Sequence, residues 1–110
     1  MARYDFIATY LMTSARNGTL YLGVTSDLLT RGAQHRRGEF EGFSAKYGCN
    51  RLVWFEQYSD MATAIAREKQ IKSWRRAWKI ALIETRNPQW LDLYEDLLLP
   101  RHLRNYDFYQ

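Results

Sequence analysis

Glu68 lies where a carboxylate is uncommon, in the middle of the apolar face of a predicted helix. The helix is predicted over Asp60–Lys72, and its apolar face consists of Met61, Ala64, Ile65 and Ile71. Because burial of a charge is unfavourable, we expect Glu68 to meet a metal ion or another cation. The alternative is an ordinary helix glutamate that pairs with Lys69, Lys72 or Arg31.

Two further polar side chains share one face of an earlier helix. Arg31 and His35 are four residues apart in the helix predicted over Leu28–Arg37, which Gly38 ends. The guanidinium of Arg31 suits bidentate contact with a phosphate, and the alternative is a solvated arginine in a basic run. For His35 the alternative is an ordinary surface or capping histidine near the end of the helix.

Two tyrosines belong to a predicted hairpin. Strands are predicted at Tyr4–Met12 and Thr19–Val24, separated by the turn signal Asn17-Gly18. A two-residue turn would put Tyr10 and Tyr21 on the same face of the sheet, whereas a longer loop could change that register. Since aromatic residues are common in strands, simple packing is the alternative for both tyrosines.

The rest of the chain completes an α+β pattern. The remaining predicted elements are a strand at Leu52–Tyr58, a helix at Trp74–Thr85, a short helix at Gln89–Leu99 and a surface loop at Glu39–Asn50. The order β-β-α-β-α-α-α predicts a small three-stranded, largely antiparallel sheet flanked by helices. We expect one domain over residues 1–99 and a tail over residues 100–110.

Composition narrows the classes of function. The 110 residues carry 16 basic and 12 acidic side chains, a net charge of +4, which leans mildly towards polyanionic partners. One cysteine, Cys49, and two histidines cannot build a zinc-finger ligand set. No apolar run approaches the ~18 residues of a membrane span, and the N-terminus lacks a signal-peptide pattern. We therefore expect a cytoplasmic protein with no membrane partner.

Taken in chain order, these residues resemble the GIY-YIG nuclease domain. That domain occurs in the excinuclease C subunit, in some homing endonucleases and in small stand-alone bacterial proteins. The resemblance runs from about Phe6 to Trp90, and the stand-alone proteins are most similar over Tyr21–His35 and Arg67–Lys72. It implies an endonuclease that needs Mg²⁺ or Mn²⁺ and hydrolyses DNA, with RNA not excluded and no small-molecule cofactor. DNA repair or recombination is the implied process.

The resemblance also implies a role for each residue. Glu68 would hold one divalent metal, as suits Mg²⁺, which keeps most of its waters and shares phosphate oxygens. Arg31 would stabilise the phosphate, and Tyr21 would deprotonate the attacking water, with nearby cations helping because a phenol is a poor base at neutral pH. His35 would orient Tyr21 or help transfer its proton. Tyr10 would order water or substrate.

Two positions depart from the family pattern. The first motif reads Ala8-Thr9-Tyr10, so only its tyrosine remains, and we interpret the other two positions as strand packing. Val24 stands where some relatives carry a lysine, which predicts weaker phosphate contacts.

A basic, aromatic-interleaved stretch follows Glu68. The residues predicted to contact nucleic acid are Lys69, Lys72, Arg75, Arg76 and Asn87. Asn87 precedes Pro88, so a plain helix stop is the preferred interpretation of that position. Trp74 and Trp78 are four residues apart and are predicted to pack against the core, like Trp54 and Trp90.

Two other classes of function stay open at this point. A nucleic-acid-binding module without catalysis would keep the basic surface but would need no metal. A protein-interaction domain would use the aromatic tail after Pro100 to dock to a partner. The oligomeric state is open as well.

Overall fold

One antiparallel sheet forms the centre of the molecule. The computed structural model describes residues 6–38 and 46–104. Its strands are β1 (Ile7–Thr13), β2 (Leu20–Thr25) and β3 (Arg51–Tyr58), and their order in the sheet is β2-β1-β3. The central strand β1 is buried along its whole length. The predicted three-stranded antiparallel sheet is confirmed.

The helices follow in the predicted order. They are α1 (Leu28–Arg36), α2 (Met61–Lys72), α3 (Arg76–Arg86) and α4 (Tyr94–Leu97), followed by a single 3₁₀ turn at Arg101–Leu103. Aspartates cap α1 and α2, since Asp27 accepts from Thr30 N and Asp60 accepts from Thr63 N. The last helix has four residues, shorter than predicted. The predicted loop and tail lie partly outside the described residues.

The hairpin between β1 and β2 has a longer turn than predicted. Four residues, 15–18, separate Ser14 from Thr19, and Ser14 N donates to Thr19 O at 3.2 Å. Asn17 has a φ of 58°, in the left-handed region that asparagine tolerates. Tyr10 is opposite Gly23, and Met12 is opposite Tyr21. The predicted two-residue turn is therefore wrong. Because the register differs from the predicted one by an even number of residues, Tyr10 and Tyr21 still project from the same face of the sheet, and that prediction is confirmed.

Helices α1 and α2 cover opposite faces of the sheet. The hydroxyl of Thr9 donates to Ala64 O in α2 at 2.7 Å. The next side chain along β1, Tyr10, points to the other face and contacts His35 of α1. Arg31 and His35 therefore belong to a helix on one face of the sheet, and Glu68 belongs to a helix on the other.

The core extends beneath the segment that follows α3. Trp54 and Trp90 are both fully buried, as predicted. Leu93 N donates to Leu52 O at 2.8 Å, which fastens this segment to the start of β3. Within the described ranges, no helix combines the length and the hydropathy that a membrane span requires.

Candidate active site

Tyr10, Tyr21 and His35 form one cluster between the sheet and α1. The Tyr10 hydroxyl lies 3.0 Å from Nε2 of His35, and the ring centroid of Tyr21 lies 5.2 Å from that of His35. The two tyrosine centroids are 6.3 Å apart. Tyr10 and His35 are only 2% and 3% exposed, whereas Tyr21 is half-buried. Of the three side chains, Tyr21 is therefore the one that a substrate can reach.

The spacing of the Tyr21-Leu22-Gly23 motif has a steric cause. Gly23 lies opposite Tyr10 in the sheet, and the phenol ring of Tyr10 crosses directly over it. A β-carbon at position 23 would be 2.5 Å from both Cζ and the hydroxyl of Tyr10, which is closer than real side chains approach. The glycine thus makes room for the ring that carries the hydrogen bond to His35.

Burial keeps the inner pair of the cluster uncharged. Burial, reinforced by the neighbouring Tyr21 and partly opposed by Arg31, raises the pKa of Tyr10 well above its ordinary value. Burial, followed by the repulsion of Arg31, lowers the pKa of His35 to about 4. At neutral pH one ring nitrogen of His35 therefore donates and the other accepts, and the Tyr10 hydroxyl keeps its proton. A histidine with so low a pKa suits orientation of its neighbours better than uptake of a proton.

Arg31 lies one helical turn before His35, as the spacing predicted. Its side chain is half-buried, and its charge acts on both Tyr10 and His35. The structure thus brings four of the five predicted catalytic residues together.

Contacts that the sequence analysis missed hold α1 in this position. Gly32 allows the ring of Tyr94 to lie against the helix, since a β-carbon there would be 2.7 Å from Cδ1 of that ring. The Tyr94 hydroxyl also donates to Leu29 O at 3.2 Å. A glycine inside a predicted helix was the signal in the sequence, because such a residue usually has a packing reason.

Glu68 belongs to α2, the helix that Thr9 contacts on the face of β1 opposite to Tyr10. Its side chain is half-buried between the buried Ala64 and Ile71, whereas Ile65 of the predicted apolar face is 37% exposed. Glu68 makes no hydrogen bond or ion pair with another described residue. Pairing with Lys69, Lys72 or Arg31, the alternative raised by the sequence, is thus absent from the described part of the chain.

The donor set around Glu68 fits one kind of metal site. Among residues 6–38 and 46–104, no three His, Cys, Asp or Glu side chains gather closely enough to form a metal cage. A half-buried carboxylate with no partner in residues 6–38 and 46–104 suits Mg²⁺ or Mn²⁺ held by one protein ligand, water and phosphate oxygens. It does not resemble a closed structural zinc site.

The residues that depart from the family pattern, Ala8, Thr9 and Val24, are packed within the sheet or face α2. Ala8 is fully buried, and Thr9 makes the hydrogen bond to Ala64 described above, so both are strand-packing residues as interpreted. Val24 is opposite Thr9 in the sheet and therefore faces α2, not the tyrosine cluster.

The predicted nucleic-acid-binding residues differ in their surroundings. Lys69, Lys72 and Arg75 are exposed. Arg76 is exposed too, but its Nη2 donates to Asn17 O at 2.8 Å and to Gly18 O at 2.7 Å, so it fastens α3 to the hairpin turn.

Asn87 is buried, and its side-chain amide is bound to the backbone. The residue is 1% exposed, and its Nδ2 donates to Val53 O at 3.0 Å and to Leu91 O at 2.9 Å. Its Oδ1 accepts from Leu91 N at 3.0 Å. This arrangement supports the helix-stop interpretation, because both ends of the amide hold the chain after α3 and neither faces solvent.

The two tryptophans of the basic stretch have different positions. Trp74 packs against the core. The same prediction for Trp78 is wrong, because 51% of that residue is exposed.

Comparison with known proteins agrees with this architecture. The model of the GIY-YIG catalytic domain matches residues 6–81. A UPF0213 protein of Staphylococcus aureus strain Mu3 is 33% identical over 70 residues, which cover 64% of this chain and 85% of the relative. The solution NMR structure of a UPF0213 protein from Bacillus halodurans has the same fold, with a TM-score of 0.51 and 21% identity over 82% of this chain and 95% of that one. The chain described here belongs to the GIY-YIG family.

Proposed function

We propose that this protein is a metal-dependent endonuclease that hydrolyses phosphodiester bonds in DNA, with a role in repair or recombination. Membership of the family indicates a nuclease domain and a nucleic-acid substrate. The observation that carries the proposal is the half-exposed Tyr21, held against the buried, uncharged pair of Tyr10 and His35. Simple binding of nucleic acid requires no such arrangement.

The side chains of the cluster differ in exposure, and we assign their roles accordingly. Tyr21 would take a proton from the water whose oxygen attacks phosphorus, while the bond from phosphorus to the leaving sugar oxygen breaks. Arg31 would stabilise the negative charge on the non-bridging oxygens. His35 and Tyr10 are too deeply buried to touch substrate, so they are positioning residues that fix the ring of Tyr21.

Glu68 is the residue that would hold the divalent ion. Bound Mg²⁺ or Mn²⁺ would supply Lewis-acid neutralisation of the phosphate. The half-buried Glu68 carboxylate has no hydrogen-bond or ion-pair partner among the described residues, so its oxygens are available to a metal ion.

Cleavage of a labelled panel of duplex, single-stranded, flap and branched DNA tests this function. The wild type is compared with Glu68→Ala with and without Mg²⁺ or Mn²⁺. We expect metal-dependent cutting that falls at least ~100-fold in the variant. Glu95→Ala is the matched control, since it removes an exposed carboxylate on α4 and should cut normally. Unchanged metal-dependent cleavage by Glu68→Ala would refute the assignment.

A nucleic-acid-binding module without catalysis is the second candidate. The exposed cations Lys69, Lys72 and Arg75 favour it, because they form no ion pair with a described acidic side chain. Salt-sensitive binding that Mg²⁺ does not alter, together with no cleavage of any panel member, would support this module.

A further inference from the structure

An aromatic groove lies on the solvent side of α3. It has a volume of about 410 Å³, and the residues that line it, here called the tryptophan surface, are Trp74, Trp78, Ala81, Leu82 and Thr85. The last four are spaced at intervals of three and four residues, so they form one face of the helix. Trp78 is 51% exposed, although Trp54 and Trp90 of the same chain are fully buried. A half-exposed indole beside an open groove is typical of a binding surface.

Positive charge lies beside the indoles of this groove. Between residues 69 and 83 the chain has five basic side chains and no acidic one. The guanidinium carbon of Arg75 lies 5.0 Å from the ring centroid of Trp78, and that of Arg67 lies 5.3 Å from the ring of Trp74. The two indoles are 6.2 Å apart in an edge-to-face arrangement. The two adjacent indoles therefore each have a guanidinium beside them.

This combination is complementary to one class of partner. A nucleic-acid strand carries flat apolar bases and regularly spaced negative phosphates, which match the exposed indole of Trp78 and the cations beside it. A duplex buries its base faces in its own stack and offers only phosphates to such a surface. An acidic protein partner would match the charge, but it would not use the exposed face of the indole.

The tryptophan surface is also joined to both parts of the candidate active site. Arg67, which stacks on Trp74, precedes Glu68 in α2. Arg76 at the start of α3 binds the carbonyls of the hairpin turn, three residues before Tyr21. A strand bound along α3 therefore lies next to the elements that carry these two residues.

We infer that the tryptophan surface binds unpaired nucleotides, and that the substrate is DNA with a single-stranded segment beside the cleavage site. The base would stack on Trp78, and Arg75 and Lys79 would contact phosphates. This inference rests on the proposed nuclease function for its substrate, but the binding step needs neither metal nor catalysis.

Binding without cleavage tests the inference separately. Fluorescence anisotropy of labelled oligothymidylate and of a duplex of equal length is measured in EDTA, over a series of salt concentrations. We expect Trp78→Ala to weaken single-strand binding about tenfold and to leave duplex binding unchanged. Trp78→Phe should keep most of the affinity, and Arg75→Ala should reduce the slope of affinity against salt. Leu98→Ala is the control, since Leu98 is 59% exposed away from this surface.

The possible outcomes separate the two proposals. Single-strand binding that depends on Trp78, in a protein that cuts nothing with metal, would sustain the inference about binding and remove the nuclease function. Equal losses for both oligonucleotides, or no loss, would overturn the inference. Loss of self-association in Trp78→Ala, seen by sedimentation with unchanged oligonucleotide binding, would assign the surface to a second copy of the chain and would overturn it too.

Discussion

The protein contains two groups of aromatic rings with an arginine beside them, and they differ in burial. Around Tyr10, Tyr21 and His35 the rings are packed between the sheet and α1, and the inner pair is uncharged. On α3 the ring of Trp78 is half-exposed, and Arg75 lies over it in solvent. Similar side chains therefore serve different purposes, because burial fixes the rings and proton positions of the first group while exposure leaves the second free to bind.

The two groups also differ in the contacts that hold their rings in place. The Tyr10 ring is held on two sides, since it packs over Gly23 and its hydroxyl forms a hydrogen bond with His35. Trp78 lies at an open groove, with contacts to Trp74 and Arg75 on one part of its ring. Substitutions of the buried Tyr10 and His35 should alter chemistry and stability together, whereas substitution of the exposed Trp78 should alter mainly affinity.

The largest effect is expected from the hydroxyl of Tyr21. Tyr21→Phe keeps the ring but removes the group that would accept the proton, so we expect DNA cleavage to fall by ~10²–10⁴-fold with normal folding. Tyr47→Phe is the matched control, because Tyr47 is 45% exposed outside the cluster. Single-turnover cleavage rates and circular dichroism of both variants provide the measurement. A Tyr21→Phe enzyme with the wild-type rate would exclude Tyr21 as the base.

The second effect is a dependence of stability on pH. The unfolded His35 takes a proton below its ordinary pKa of 6.5, whereas the folded residue stays neutral down to about 4. The unfolded state thus binds more protons in this window, and the free energy of unfolding should fall as pH decreases from 6.5 to 4, by at most about 3 kcal/mol. Above pH 6.5 this contribution is constant.

Urea unfolding of His35→Asn across this pH range separates the contribution of His35 to the free energy of unfolding from the contributions of the carboxylates. The variant should lose most of the fall in stability between pH 6.5 and 5, where few carboxylates titrate. His102→Asn, which alters an exposed histidine, should retain it. Identical pH profiles for the wild type and His35→Asn would show that His35 is not buried as a neutral group.

A third, smaller effect concerns the close approach of Tyr10 and Gly23. Gly23→Ala forces a β-carbon against the ring, so we expect a loss of about 2 kcal/mol in the free energy of unfolding. The loss should shrink in a Tyr10→Leu background, where the distal ring atoms are gone. Urea unfolding of the two single variants and the double variant measures the coupling. Equal losses in both backgrounds would contradict the steric explanation of the motif.

The sequence predicted the architecture well because alternation and capping signals are local. The predicted hairpin placed Tyr10 and Tyr21 on one face, and this result survives the longer turn at Asn17 because the register changes by an even number of residues. Helix spacing likewise placed Arg31 and His35 together. These features depend on residues within a few positions of one another.

Features that depend on distant residues were not predicted. The tight contact of Gly23 with Tyr10 and that of Gly32 with Tyr94 need the assembled sheet and helices. Trp78 was assigned to the core from its spacing to Trp74, but spacing shows which face residues share and not what covers that face. The exposure of Trp78, on which the binding proposal rests, was therefore visible only in the structure.

The smallest expected change in stability is at that residue. Trp78→Ala removes a ring that is already half in solvent, so the free energy of unfolding should change by less than about 1 kcal/mol. Trp54→Ala in the core should instead lose about 3–5 kcal/mol. Urea unfolding of both variants makes the comparison direct, with the same residue type removed from each environment. If Trp78→Ala were as destabilising as Trp54→Ala, the ring would be a structural part of the fold, and reduced oligonucleotide binding in that variant would reflect unfolding and not the loss of a stacking surface.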